Sequence, residues 1–270
     1  MKRRAEGLVV PLLVIAILFP LYWAVLASMT QESRLFDGSS LLPRDLTLDH
    51  YRALFGGRGF WTPVRNSLVV AAATTVLSVA LGSACAYSLA RLRFRGKGAM
   101  LAFVLAVSMF PQISIVSPLY LLLRELRLLN TYPGLVLPYL TFAMPLTIWL
   151  LVGFFRQLPA NLEEAAQIDG AGRLRILREI VLPLSWPGIA TSAILTFLYS
   201  WNEFLFALSF TLGPERYTVP VAITLFRGQY EVPWGQILAG AVVATVPVAL
   251  IVLVAQRRIV AGLTSGAVKG

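Results

Sequence analysis

Six runs of apolar residues, each long enough to cross a bilayer, restrict this chain more than any other feature of its sequence. They are Leu8–Met29, Leu68–Ala90, Met100–Leu123, Leu135–Phe155, Leu184–Phe210 and Ile237–Ala255. A hydrocarbon core of about 30 Å takes roughly 20 helical residues, and a backbone in lipid must satisfy its own hydrogen bonds, so each run reads as a transmembrane helix. The mean hydropathy of +0.75 agrees. So does a charged content of 13%, against about 25% in soluble proteins. The expected fold class is all-α integral membrane, a single transmembrane domain over residues 1–270 with six transmembrane helices.

An even number of spans places both termini on one side, and the basic residues decide which. The terminal side carries Lys2, Arg3 and Arg4, then Arg91, Arg93, Arg95 and Lys97, then Arg156, Arg173, Arg175 and Arg178, then Arg257, Arg258 and Lys269. The opposite side carries fewer. The cluster at Arg91–Gly98 contains no acid, the pattern of a cytoplasmic loop, so both termini are expected to be cytoplasmic and the protein to lie in the cell (inner) membrane. The net charge of +10 is then a topology signal and calls for no nucleic acid. Residues Val25-Leu26-Ala27 offer a site where a signal peptidase could cut. The apolar run before it is longer than the roughly 7–15 residues of a signal core, which favours a retained helix.

One cysteine, Cys85, and one histidine, His50, exclude a disulfide framework, a Cys/His zinc site and paired Cys-His catalysis. No metal site and no cofactor are expected. The chain has no GxxxxGK[ST] phosphate loop and no GxGxxG, so any nucleotide must be held by another polypeptide. Of the connections, Thr30–Ser67 reads as a short ordered cap. Leu212–Gln236, punctuated by Gly213-Pro214, Pro220, Gly228 and Pro233, reads as a loop or short re-entrant structure.

The most patterned connection is 156–183, between the fourth and fifth spans. Pro159 stops the preceding helix, and Asn161 with Glu164 three residues on has the form of a capping box, placing a helix start at Leu162. Ala165 and Ala166 keep that helix narrow. Gly170 and Gly172 supply positive-φ freedom for a sharp bend, a second helix is expected over Arg173–Val181, and Pro183 turns the chain into the fifth span. The product is a short two-piece elbow, which by geometry alone is either a docking element or an ordinary capped surface helix.

Glu164-Ala165-Ala166, followed by Asp169-Gly170-Ala171 and Ile180-Val181-Leu182-Pro183, resembles the EAA loop of ATP-binding cassette (ABC) importer permeases of the carbohydrate-uptake branch. Met109-Phe110-Pro111, Pro118-Leu119-Tyr120, Trp201-Asn202-Glu203-Phe204 and the tail 256–270 extend the likeness along the chain, to the shorter six-helix permease of maltose and trehalose type transporters. The resemblance implies the type I ABC importer permease architecture and no catalysis by this chain. It implies that Glu164, Ala165, Ala166, Asp169 and Gly170 belong to a coupling helix docking in a cleft of the ATPase. Gly262, Leu263, Thr264, Ser265 and Gly266 would contact the ATPase subunits from the cytoplasmic C-terminal tail. The implied partners are a second permease subunit of different sequence, two ATP-binding cassette ATPase subunits, an extracytoplasmic sugar-binding protein facing Leu212–Gln236, and the lipid bilayer.

Inside the spans, Gln112, Ser114, Asn202 and Glu203 are candidate pathway-lining residues. Glu203 is the one acidic residue in a run, and a charge at a helix centre costs on the order of 3 kcal/mol on insertion scales. A rise of about 1.5 Å per residue from Leu184 puts it near the far interface instead, so lining and packing roles both stand. Pro111, Pro118, Pro138 and Pro145 are expected to bend helices. Ser78, Gly82, Ala86 and Ala90, with Gly240 and Ala244, form small-residue faces for close helix packing. An ion-coupled secondary transporter would need more intramembrane acids or matched broken helices. An ABC permease for a non-sugar solute remains the alternative.

Overall fold

The computed structural model describes residues 2–35, 46–226 and 232–267, with side chains placed between 11 and 254. Every regular element among these is helical. The long elements are α1 (Lys2–Ser28), α3 (Trp61–Arg91), α6 (Tyr132–Gln157) and α13 (Trp234–Ala267). Between α1 and α3 lies α2 (Asp49–Arg52), which runs into a π turn over Ala53–Gly57. The helix of the second apolar run therefore begins at Trp61, ahead of the expected Leu68. The remaining elements are α4 (Lys97–Ser108), α5 (Gln112–Glu125), α7 (Asn161–Ile168), α8 (Arg173–Ile176), α9 (Leu182–Leu184), α10 (Trp186–Asn202), α11 (Leu205–Phe210) and α12 (Val219–Thr224).

Among the described residues, four helices are long and apolar enough to cross a membrane singly; counting each bent pair as one span raises this to as many as six. The third apolar run departs from expectation. It is two helices, α4 and α5, meeting at 90° around Met109-Phe110-Pro111. Pro111 has no N–H for the ladder and disfavours helical backbone at Phe110, so it ends one helix and starts the next. Hydropathy does not register such a break, because the residues on both sides are equally apolar. Pro118, Pro138 and Pro145, by contrast, lie inside α5 and α6 without ending them. The fifth run is also interrupted, at Glu203 and Phe204 between α10 and α11.

The body is built on α3, which packs along α6 and α10, while α1 lies against α13 and α4 against α6. Gly82 permits the closest approach on α3: a Cβ there would sit 3.0 Å from the Thr147 methyl of α6. Thr147 in turn shares a 2.8 Å hydroxyl–hydroxyl hydrogen bond with Thr196 of α10. Small residues and interhelical hydroxyl contacts are what hold helices together where lipid is as apolar as leucine. The small-residue face read from the sequence thus packs within this chain. The exposed apolar side chains of α1, such as Leu12, Ile15 and Ile17, and of α13, such as Leu250 and Leu253, point away from the body.

The face opposite the termini is pinned by side chains. Glu32 accepts hydrogen bonds from the Trp234 and Gly235 backbone at the start of α13, at 2.7 and 3.0 Å. Asn66 donates to the carbonyls of Glu215 and Tyr217, both at 3.0 Å, and Ser67 accepts from the Val219 N–H at 2.8 Å. These bonds tie residues 212–226, which contain α12, to α3; of the connection expected over Leu212–Gln236, residues 227–231 lie outside the described residues. The Asn130 amide donates to Glu215 and holds that carboxyl below the usual carboxylate range.

The start of α6 yields a first prediction. Thr131 caps it by accepting from the Gly134 N–H at 3.1 Å, while its hydroxyl donates to the Leu128 carbonyl at 2.7 Å. A Cβ on Gly134 would lie 2.0 Å from that carbonyl oxygen. Gly134→Ala must open the turn, and is expected to cost about 1–3 kcal/mol, read as a lower melting temperature of the detergent-solubilised protein.

Candidate functional site

The elbow is built by local chemistry at both ends. Its first helix, α7, is capped from Ala160, whose carbonyl accepts from the Glu163 and Glu164 N–H groups at 3.0 and 3.1 Å. The capping box expected at Asn161 does not form. The chain has already turned at Pro159-Ala160, so Asn161 is the first helical residue and its side chain makes no cap bond.

At the other end, Gly170 adopts φ +80°. The Gly170 N–H bonds the Gln167 carbonyl at 3.0 Å, and the Ala171 N–H bonds the Ala166 carbonyl at 2.8 Å. This pair of bonds, with Ala166 and Ala171 both packed against one apolar cluster, is a Schellman motif and requires the left-handed residue. Gly172 does not share that role, since its φ of −71° and ψ of 160° are open to any residue.

The second arm is α8, continued by a π turn over Leu177–Val181. Ile176 and Val181 are fully buried, in a cluster with Leu89 of α3 and Leu151 and Phe155 of α6. The helical turn runs through Pro183 and breaks at Ser185, where the chain bends by 82° into α10. The bend therefore falls two residues beyond the Pro183 position expected for it. The arm is rooted in the body while α7 projects from it.

On α7 the polarity is inverted. Glu163 is its one buried residue, 7% exposed, whereas Leu162 and Ile168 are exposed, Ile168 at 86%. Glu164, Ala165, Asp169 and Gly170 are likewise exposed, and Ala166 is half-buried. Four of the five residues singled out on this segment are therefore accessible, and the second arm carries an open recess of about 710 Å³ lined by Gly172, Arg173, Leu174, Arg175, Arg178 and Glu179. Glu163 was not singled out from the sequence. Its partner, Arg91, is 72 residues away, and local spacing alone does not reveal the pairing.

The pathway candidates separate. Gln112, half-buried at the start of α5, donates from its amide to the Tyr199 hydroxyl of α10. Ser114 and Asn202 are exposed, and Asn202 donates to its own Leu198 carbonyl at 2.7 Å. Glu203 is buried, 6% exposed, and its two oxygens accept from the Phe206 N–H at 2.8 Å and the Ala207 N–H at 3.1 Å, capping α11. Trp201 is anchored by its indole N–H on the Ala244 carbonyl at 3.2 Å. Gly262, Leu263, Thr264, Ser265 and Gly266 continue α13 as backbone; their side chains lie outside the described residues.

These features define a helical, multi-pass membrane protein carrying a two-armed elbow between two of its apolar helices. The chain belongs to the family of binding-protein-dependent transport system inner membrane components, whose model matches residues 78–265. It is 47% identical to the trehalose transport system permease protein SugB of Mycobacterium tuberculosis, over 94% of this chain and 93% of that one. It is 41% identical to the trehalose/maltose transport system permease protein MalG of Thermococcus litoralis, over 96% and 94%. Its fold matches a chain of a bacterial ABC transporter involved in the import of the acidic polysaccharide alginate, with a TM-score of 0.82 at 23% identity and 95% coverage of both.

Proposed function

We propose that this chain is the inner-membrane permease subunit of an ATP-driven sugar importer, taking up a di- or oligosaccharide of the trehalose or maltose kind. The carrying observation is the identity of 47% and 41% to two trehalose-type permeases across nearly the whole chain, elbow and spans included. With α4 and α5 counted together as one span and α10 as another, beside the four long helices, the chain has six, both termini are cytoplasmic by its basic loops, and the elbow 156–183 faces the ATPase.

In this reading the chain forms half of the pathway beside a second permease subunit. It carries out no catalysis, and two ATPase subunits supply the hydrolysis. The exposed surface of Glu164, Ala165, Ile168 and Asp169 docks in the ATPase cleft, the C-terminal residues Gly262–Gly266 reach the ATPase pair, and the segment 212–226 receives the sugar-binding protein. Closure of the ATPase pair moves its clefts, and a lever rooted by Ile176 and Val181 carries that movement into the bundle as rigid-body switching. Gln112, Ser114 and Asn202 are the pathway candidates. Two backbone N–H groups on Glu203 support a structural role for it.

The test is ATP hydrolysis by the copurified transporter, stimulated by its binding protein loaded in turn with trehalose, maltose and other disaccharides. Stimulation several-fold above the unloaded binding protein is expected for one or two of them. Equal rates across the panel would overturn the sugar assignment and leave a non-sugar solute.

A further inference from the structure

We propose that Arg91, Glu163 and Tyr87 form a clasp that fixes the elbow helix α7 to the end of α3, making Glu163 a positioning residue for coupling. Arg91 is the last residue of α3, and its Nε lies 2.7 Å from Glu163 Oε1. The Tyr87 hydroxyl, one turn earlier, donates to Glu163 Oε2 at 3.1 Å. A terminal guanidinium nitrogen of Arg91 donates to the Leu158 carbonyl at 2.5 Å, where α6 ends. One guanidinium thus joins the ends of three chain segments, and both oxygens of one carboxylate are engaged.

The inverted polarity of α7 shows why this matters. A helix on a protein surface ordinarily anchors itself through its apolar side chains. Here Ile168 faces away from the body at 86% exposed and Leu162 is 41% exposed, while the one buried residue is a carboxylate. Apolar contact toward the body is confined to half-buried Ala166, whose single methyl sets no register. The Arg91 Nε–Glu163 Oε1 contact is an ion pair without hydrogen-bond geometry, so direction comes from the Tyr87 hydroxyl on Oε2 and from the Arg91 bond to the Leu158 carbonyl; together they favour one orientation of α7 on α3.

The second arm of the elbow already packs on α3 and α6 through Ile176 and Val181, whereas α7 itself has only Ala166 in that cluster. The clasp ties α7 directly to α3, the helix packed along both α6 and α10, so a push on α7 reaches all three together. This inference rests on the reading of α7 as the docking element, and the two are tested separately.

The experiment uses the complete transporter in sealed proteoliposomes, with Cys85→Ser and spin labels at Arg93→Cys and Asn161→Cys, both exposed positions flanking the clasp. One narrow distance distribution is expected with and without ATP. Glu163→Gln keeps shape and removes charge; it is expected to at least double the width and to lower sugar transported per ATP hydrolysed at least fivefold, with the ATPase still copurifying. Arg91→Lys, which keeps the charge but loses the two-way reach of the guanidinium, should fall between. An unchanged width or an unchanged transport ratio in Glu163→Gln overturns the clasp. Loss of the ATPase from Glu163→Gln overturns it in favour of direct contact. Ile168→Glu reports on docking alone: an ATPase that still copurifies with it sinks the docking reading, while the label widths still decide the clasp.

Discussion

Gly170→Val is expected to leave the chain inserted in the membrane and to reduce sugar uptake about tenfold. The left-handed backbone at φ +80° costs an ordinary L-residue about 1–2 kcal/mol, and a β-branched one more. If the valine escapes to a right-handed conformation, the bonds from Gly170 to Gln167 and from Ala171 to Ala166 are lost. Each contributes about 0.5–1.5 kcal/mol. By either route roughly 1–3 kcal/mol is withdrawn from the elbow's native geometry, and each 1.4 kcal/mol is about a factor of ten in its population.

The free space around Gly170 means that crowding plays no part, since no heavy atom lies within 4 Å of an added Cβ. Gly172→Val is the control. It sits at φ −71° in equally open space and should transport at close to the normal rate. Membrane content, ATPase copurification and uptake per ATP are the measurements. A Gly170→Val transporter with normal sugar-stimulated hydrolysis and normal uptake would refute the role given to the elbow.

What could be read from the sequence follows the range of the forces involved. The bend at Gly170 was legible because a Schellman motif is local: one residue without a Cβ, flanked by Ala166 and Ala171. The packing face at Ser78, Gly82 and Ala86 was legible because it repeats along one helix. The 90° turn at Pro111 was visible only as a proline, because a kink and a full break share the same local signal and the neighbouring helices decide between them. Asn161 misled because its capping pattern competes with Pro159, which turns the chain one residue sooner. The Arg91–Glu163 pair was beyond reach, since two adjacent acids at 163 and 164 look equivalent until the fold turns one inward. The side chains of Gly262–Gly266 lie outside the described residues.

Glu203→Ala is expected to destabilise the protein by about 2–4 kcal/mol. The substitution leaves the Phe206 and Ala207 N–H groups, on fully buried residues, without acceptors. An unsatisfied buried donor costs about 1–3 kcal/mol, and relief from burying a carboxylate returns part of the sum. Inside a membrane no bulk water replaces the lost acceptors, so α11 must shift or fray. That shift would reach Phe206 and Phe210, which pack with Leu135 and Tyr139 of α6. Glu203→Gln keeps one side-chain oxygen as an acceptor and should lose no more than about half as much. Stability and uptake should therefore fall together, in the order wild type, Gln, Ala, when melting in detergent and transport in vesicles are measured on the same three proteins. A residue that touches passing sugar would separate them: Glu203→Gln would then melt like wild type yet transport poorly, because an amide preserves the shape but not the acceptor pair a sugar hydroxyl meets. That separation would return Glu203 to the pathway beside Gln112. Parallel loss assigns it to the break between α10 and α11, as the group that lets a membrane helix stop and restart without leaving its backbone unpaired.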